Sequence, residues 1–234
     1  MTVLHLADEG EAADLAAFLS RLLHYDRSAA VRLQAAGTAL AVFGRPPSFE
    51  VLAVRAVGLA KPYESGLDVT LDVTLSAGEL LEGVTETAAT AAVPAAVTGP
   101  PWAGVLPPRG DWRPEAGLPA PGELRAMVGA AVGEFRRRTE ELAPERRTRA
   151  ELDRIGREIW SRTVGDTGLP VRAVHAAQSL GFLRPNAGTD ADGTPGAAQH
   201  AGLFSSGPWL RLRTPYGSIA VRRAGAGGLG LSVR

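Results

Sequence analysis

The chain has no cysteine among its 234 residues. A disulfide framework, a thiolate nucleophile and a Cys-ligated zinc site are all excluded together. Lysine is nearly missing as well: Lys61 is the only one, so arginine carries almost all the positive charge. Such heavy use of arginine and alanine points to the coding bias of a GC-rich bacterium. An arginine patch is correspondingly weaker evidence of anion binding here. No stretch approaches ~20 uninterrupted apolar residues, so no membrane span and no membrane partner are expected. The first ten residues lack a basic segment and a long apolar run, which reads as no signal peptide and a cytoplasmic location.

Catalytic and metal-binding motifs are also missing. There is no HExxH pair, Walker loop, nucleophile elbow or EF-hand loop. His5, His24, His175 and His200 share no ligand spacing, so no metal and no cofactor is expected. Gly225, Gly227 and Gly230 fit GxGxxG, but a dinucleotide fingerprint must open a helix, and only four residues follow Gly230. Asp190 and Asp192 begin like a calcium loop that lacks its later acidic ligands. Asp68 and Asp72 lie ~13 Å apart along a strand, too far for a shared acid–base site.

What is present describes a globular chain. Apolar residues make up 45% and charged residues 21% of it, enough to bury a sizeable core. The net charge is zero, yet residues 1–97 carry −6 and residues 98–234 carry +6. That asymmetry fits nucleic-acid contact or an attraction between the two halves.

The expected fold class is α+β. Leu67–Leu75 alternates apolar and polar residues without a break, so one strand face meets a core and the other meets water. Strands are also expected over Ala30–Ala36, Thr38–Phe43 and Phe49–Leu59, the last apolar on both faces apart from Glu50 and Arg55. Before them come an edge strand at Val3–Leu6 and a helix capped by Asp8 with Glu11. Its stripe is Leu15, Phe18, Leu19, Leu22 and Leu23. Ser76 and Glu79 start a short helix, and Thr87–Ala96 reads as a loose connector. Over residues 2–84 this order resembles one half-domain of the sliding clamps that ring DNA, in topology alone. A clamp repeats the unit, and residues 98–234 do not look like a second copy.

Residues 1–97 form the sheet domain and 98–122 a Pro/Gly/Trp-rich linker or strap. Residues 123–234 form a mainly helical part that ends in a β-hairpin. Helices are expected over Glu123–Leu142, from Thr148 with Glu151, and from Pro170 to a cap at Gly181. Asn186–Gly202 reads as a disordered loop and Ala224–Arg234 as a frayed tail. In the hairpin, 208–223, Leu210, Leu212, Ile219 and Val221 make an apolar face, with Arg211, Arg213 and Arg222 opposite. Arg223 sits at its end and Tyr216 at its turn. Helices followed by a basic hairpin resemble winged-helix DNA binders, although the helix–turn–helix pair of that family does not precede this hairpin.

Three functional readings follow. The first is a non-catalytic interaction protein with a protein partner or self-association, docking through Trp102 and Trp112 of the strap. The second is a nucleic-acid binder, or a binder of an acidic partner, using Arg211, Arg213, Arg222, Arg223 and Tyr216. The third is an enzyme with a site between the two halves.

Overall fold

A computed structural model describes residues 2–61, 70–184 and 201–223. It is an α+β structure. Strand β1 (Thr2–His5) leads into helix α1 (Glu9–Tyr25), which starts where the Asp8 carboxylate accepts the Glu11 amide at 2.8 Å. Strands β2 (Ala30–Ala36) and β3 (Ala39–Gly44) turn across Gly37, whose φ of +57° suits glycine. Strands β4 (Leu52–Gly58) and β5 (Thr70–Ser76) follow. The start of the alternating run, Leu67–Val69 with Asp68, lies outside the described residues. Helix α2 (Ala77–Glu82) begins at Ser76, whose hydroxyl accepts the Glu79 amide at 3.3 Å.

The next segment corrects the sequence reading. Residues 87–96 are not a loose connector: β6 (Val84–Thr85) and β7 (Thr90–Val93) pair there, with β7 the middle strand of a three-stranded sheet ordered β1-β7-β6. The run of Ala and Thr hid it, because small side chains give no clear alternation. Strand β1 is an edge strand as expected, but it belongs to this second sheet and not to the sheet of β2–β5. A single bridge between Leu6 and Leu59 links the two sheets.

The rest of the chain comprises β8 (Arg113–Glu115), α3 (Pro121–Glu140), α4 (Arg149–Trp160), α5 (Val171–Ser179), β9 (Gly202–Ser206), β10 (Trp209–Thr214) and β11 (Gly217–Arg222). Helix α3 starts two residues earlier than the periodicity predicts. Pro121 suits a first helical position, and the Glu123 carboxylate accepts the Ala120 amide at 2.9 Å. Strand β9 takes up Gly202, the end of the predicted disordered loop; residues 186–200, His200 among them, and the tail from Ala224 lie outside the described residues.

All the larger strands join one antiparallel sheet of order β5-β2-β3-β4-β11-β10-β9-β8. The C-terminal hairpin therefore stands inside the sheet: β11 pairs with β4 (Ile219 opposite Ala53) and β10 with β9 (Leu212 opposite Leu203). One continuous core lies under its inner face. It contains Leu33, Val42 and Ala53 with Leu15, Phe18 and Leu19 of α1, and Leu212 and Ile219 with Val174 of α5. Helix α4 is fastened to α3 by charge as well as by apolar contact. Arg162 donates twice to Glu134, at 2.6 and 2.8 Å, and Arg138 grips Glu158 through two bonds of 2.8 Å. The Arg162 hydrogen bonds bring the Glu134 carboxyl down to about 2, against the cost of its desolvation.

His175 stacks on Trp160 with centroids 4.6 Å apart and meets Phe49 edge-on at 5.1 Å. Burial lowers its pKa from 6.5, because the imidazolium loses hydration there. Its folded-state pKa is thus below the unfolded one. The stability it contributes is full above ~6.5 and is lost as pH falls toward the folded value. Between about pH 7 and 5, denaturant midpoints of the wild type should fall while those of His175→Phe stay level. Parallel curves for the two proteins would show that His175 does not carry this dependence.

Candidate functional site

The proline- and tryptophan-bearing segment crosses the outer face of the large sheet, opposite the helices. It enters at the β5 edge, where the Val97 amide donates to the Thr74 carbonyl at 2.9 Å. Next to that edge, Asp72 accepts two bonds from Arg32, at 2.7 and 2.8 Å, and Arg32 also donates to the Ala103 carbonyl of the strap. The Arg32 hydrogen bonds hold the Asp72 carboxyl below its ordinary range. At the far side the strap becomes β8, with Arg113 opposite Ser205. Proline suits this route because it brings no N–H that would need a partner on a sheet face.

Trp102, Leu106 and Trp112 of the strap pack on Leu52, Trp209 and Ala220, a second apolar cluster separate from the core. The Trp112 indole donates to the Pro108 carbonyl at 3.0 Å. Both strap tryptophans are half-buried against the chain's own sheet.

The register places Arg211, Arg213 and Arg222 on this same outer face, opposite Ala220, Ser218 and Trp209 respectively. They do not form one open basic surface. Arg211 donates to the Ser218 hydroxyl at 2.9 Å and lies 5.5 Å from the Trp112 ring. Burial, and then the charge of Arg213, lower the pKa of its guanidinium. Arg222 stands over the Trp209 ring at 5.2 Å, and Arg223 pairs with Glu115 at 2.5 Å. Tyr216 lies in the two-residue turn with the Arg184 guanidinium 3.8 Å from its ring centroid.

Where β4 begins and β11 ends, the strap stands off the sheet and leaves a cavity of about 400 Å³. Its apolar walls include Trp102, Val105, Leu52 and Trp209, and its charged ones are Arg45, Arg172, Arg222 and Glu50. A second cavity of about 750 Å³ shares Arg45, Glu50 and Trp102 and continues along Val97–Pro100. The loop between β3 and β4 forms the common wall. Ser48 and Glu50 both adopt left-handed backbone there, with φ of +73° and +53°, while Phe49 between them is buried. Non-glycine residues in that region cost roughly 1–3 kcal/mol each and occur where the surroundings impose them.

The sequence reading missed Arg45, Arg172 and Trp209 as site residues. Local sequence gives no signal for the two arginines, and Trp209 begins the hairpin strand. Among the described residues no group of three or more His, Asp or Glu side chains could hold a metal ion. No helix among them is long and apolar enough to cross a membrane.

Behind the sheet a buried arginine ties the halves together. Arg55 of β4, the one charge amid an apolar strand, is 6% exposed. It reaches Glu11 at 2.9 Å and Asp14 at 3.1 Å on α1, and donates to the Tyr216 carbonyl at 2.9 Å. Asp14 also accepts Arg184 at 2.7 Å. The gap beside them is only about 10 Å³, so this cluster is a fastening and not a ligand site.

The molecule is therefore an α+β protein with a strap-covered sheet and a cationic, tryptophan-walled cleft. The chain belongs to the family described as domain of unknown function DUF8185, whose model matches residues 107–226. Residues 1–104 match a second model, domain of unknown function DUF8010. The seam falls within the strap, so the cleft takes Arg45 and Trp102 from one matched region and Arg172, Trp209 and Arg222 from the other. No curated protein and no solved structure matches the chain.

Replacing Arg55 by Met removes a charge from between two carboxylates that are each 27% exposed and can rehydrate. Arg55→Met should lower unfolding stability by on the order of 2 kcal/mol, and the additional substitution of Asp14→Asn should cost less than it does alone. Additive losses in urea denaturation would show that the cluster is not coupled.

Proposed function

We propose that this chain is a non-catalytic, cytoplasmic interaction protein, and that the interaction is capture of a ligand in the cleft between Trp102 and Trp209. The observation that carries this reading is a cavity of ligand size whose lining includes the indoles of Trp102 and Trp209 and residues of both halves. The charged lining supports binding over chemistry. Three of its four ionisable groups are arginines, which stay protonated and can orient an acceptor but cannot trade protons with a substrate. The strap tryptophan Trp102 thus serves a pocket, while Trp112 holds the strap down under Arg211.

A fragment screen followed by the indole N–H resonances of nitrogen-15-labelled protein tests the site. Fragments that bind should shift the Trp102 and Trp209 indole signals, assigned with Trp102→Phe and Trp209→Phe, and leave Trp160 in place. Hits that bind while leaving both cleft indoles unmoved would locate binding elsewhere.

Nucleic-acid binding is the second reading, favoured by the exposure of Arg213 and Arg222 on one sheet face. Two exposed charges are few: the binding should be weak, with a log–log salt slope near −2 or shallower. Arg213→Ala/Arg222→Ala should abolish that slope in anisotropy titrations of labelled DNA and RNA. A much steeper slope that survives the double substitution would take the hairpin out of this reading.

A further inference from the structure

Arg172 is placed against its own helix. It is the second residue of α5, the end where the helix dipole disfavours a cation. Its Nε is buried and has no hydrogen-bond partner. The nearest carboxylate, Glu50, stands 3.6 Å away, beyond hydrogen-bond reach, and is itself 74% exposed. Buried donors in folded chains are almost always satisfied, so the Arg172 guanidinium is poorly paired within the protein, and its side chain, 23% exposed, lines the cavity. Arg45 and Arg222 line the same cavity, which gives three guanidinium groups against one carboxylate.

The apolar lining of the cavity asks for something different. Trp209, 7% exposed, lines the cavity beside Arg222, Trp102 lines it from the strap, and Val105, also in the lining, is 46% exposed. An inorganic anion would leave these surfaces wetted, and a purely apolar molecule would leave the arginines unpaired. Both demands are met by one molecule with an acidic head and a flat apolar body.

We propose that the cleft binds a small organic acid, a carboxylate or a phosphate monoester carried on a planar apolar body. The inference rests on the cleft being the binding site, as read above. The acidic oxygens pair with the guanidinium groups of Arg172, Arg45 and Arg222, while the body lies along Trp209 and Trp102. Forked guanidinium donors match both head groups. Glu50, already facing solvent, gives up its loose hold on Arg172 when the ligand's acid arrives. The ligand is a small molecule because the cavity, at about 400 Å³, is the size of a small-molecule site.

Calorimetric titration of the full chain with 2-naphthoate, 2-naphthyl phosphate and 2-naphthamide, with the indole resonances followed in parallel, tests this. One or both acids should bind at least about tenfold more tightly than the amide, which has the same body without the charge. The tighter of the two acids identifies the head group. Arg172→Gln should erase the acid's advantage and leave amide binding within about threefold. Arg45→Gln, an exposed change that leaves the fold intact, should weaken the acids alone by several-fold. Equal binding of acid and amide, with both indoles shifting, would overturn the acid specificity and leave the cleft as a binding site. No indole shift with any naphthyl compound would overturn the cleft reading itself, and the acid proposal with it. Acid binding unchanged by both arginine substitutions would also overturn the proposal.

Discussion

The three residue pairs between β4 and β11 hold this structure together: Leu52 with Ala220, Ala53 with Ile219 and Val54 with Ser218. Without them the large sheet would divide into β5-β2-β3-β4 and β11-β10-β9-β8, one set from each half of the chain. The short ladder is sufficient because apolar faces on both sides reinforce it. Ala53 and Ile219 enter the core beneath the helices, while Leu52 and Ala220 meet the tryptophans of the strap. Arg55, one residue beyond the ladder, adds ion pairs to α1 and a hydrogen bond to the hairpin turn. The opposite charges of the two halves appear at the seam too, where Arg172 and Arg184 of the second half face Glu50 and Asp14 of the first.

The cleft is a consequence of that joining. It opens where the first strand of the seam begins and the last one ends, and the strap must cross just there to reach its place beside β9. Trp102 of the strap packs into the apolar cluster that holds Trp209 there, and proline-rich backbone tolerates the span without unpaired amides. On the proposed reading, a ligand held by Arg45 and Trp102 from one half and by Arg172 and Arg222 from the other would bind only the joined form, and so would stabilise it.

Much of the local structure was legible in the chain. The caps at Asp8, Ser76 and Thr148 mark helix starts because a short polar side chain there satisfies an orphan amide. The hairpin at 209–222 was visible from Leu and Arg in alternation. Strands β7, β8 and β9 were not visible, each for its own reason. Strand β7 is Thr-Ala-Ala-Val, β8 is three residues with a central proline, and β9 ends in two serines that mimic a loop. Such strands are held by neighbours far away in sequence, not by their own propensity. Trp102 stood out as a costly residue to leave in water, but Arg45 and Arg172 did not, since nothing local separates a cavity arginine from a surface one.

The sequence by itself determined the class of fold, the helices, the two faces of the hairpin and the exclusion of cysteine chemistry. Those properties follow from composition and from periods of 2 and 3.6, which a short window contains. Tertiary structure alone decided that the hairpin completes the N-terminal sheet and that the strap lies over it. It also decided that arginines from residues 45, 172 and 222 meet around two tryptophans. Pairing partners and cavity walls are set by contacts between residues far apart in sequence, and no local pattern encodes such a contact.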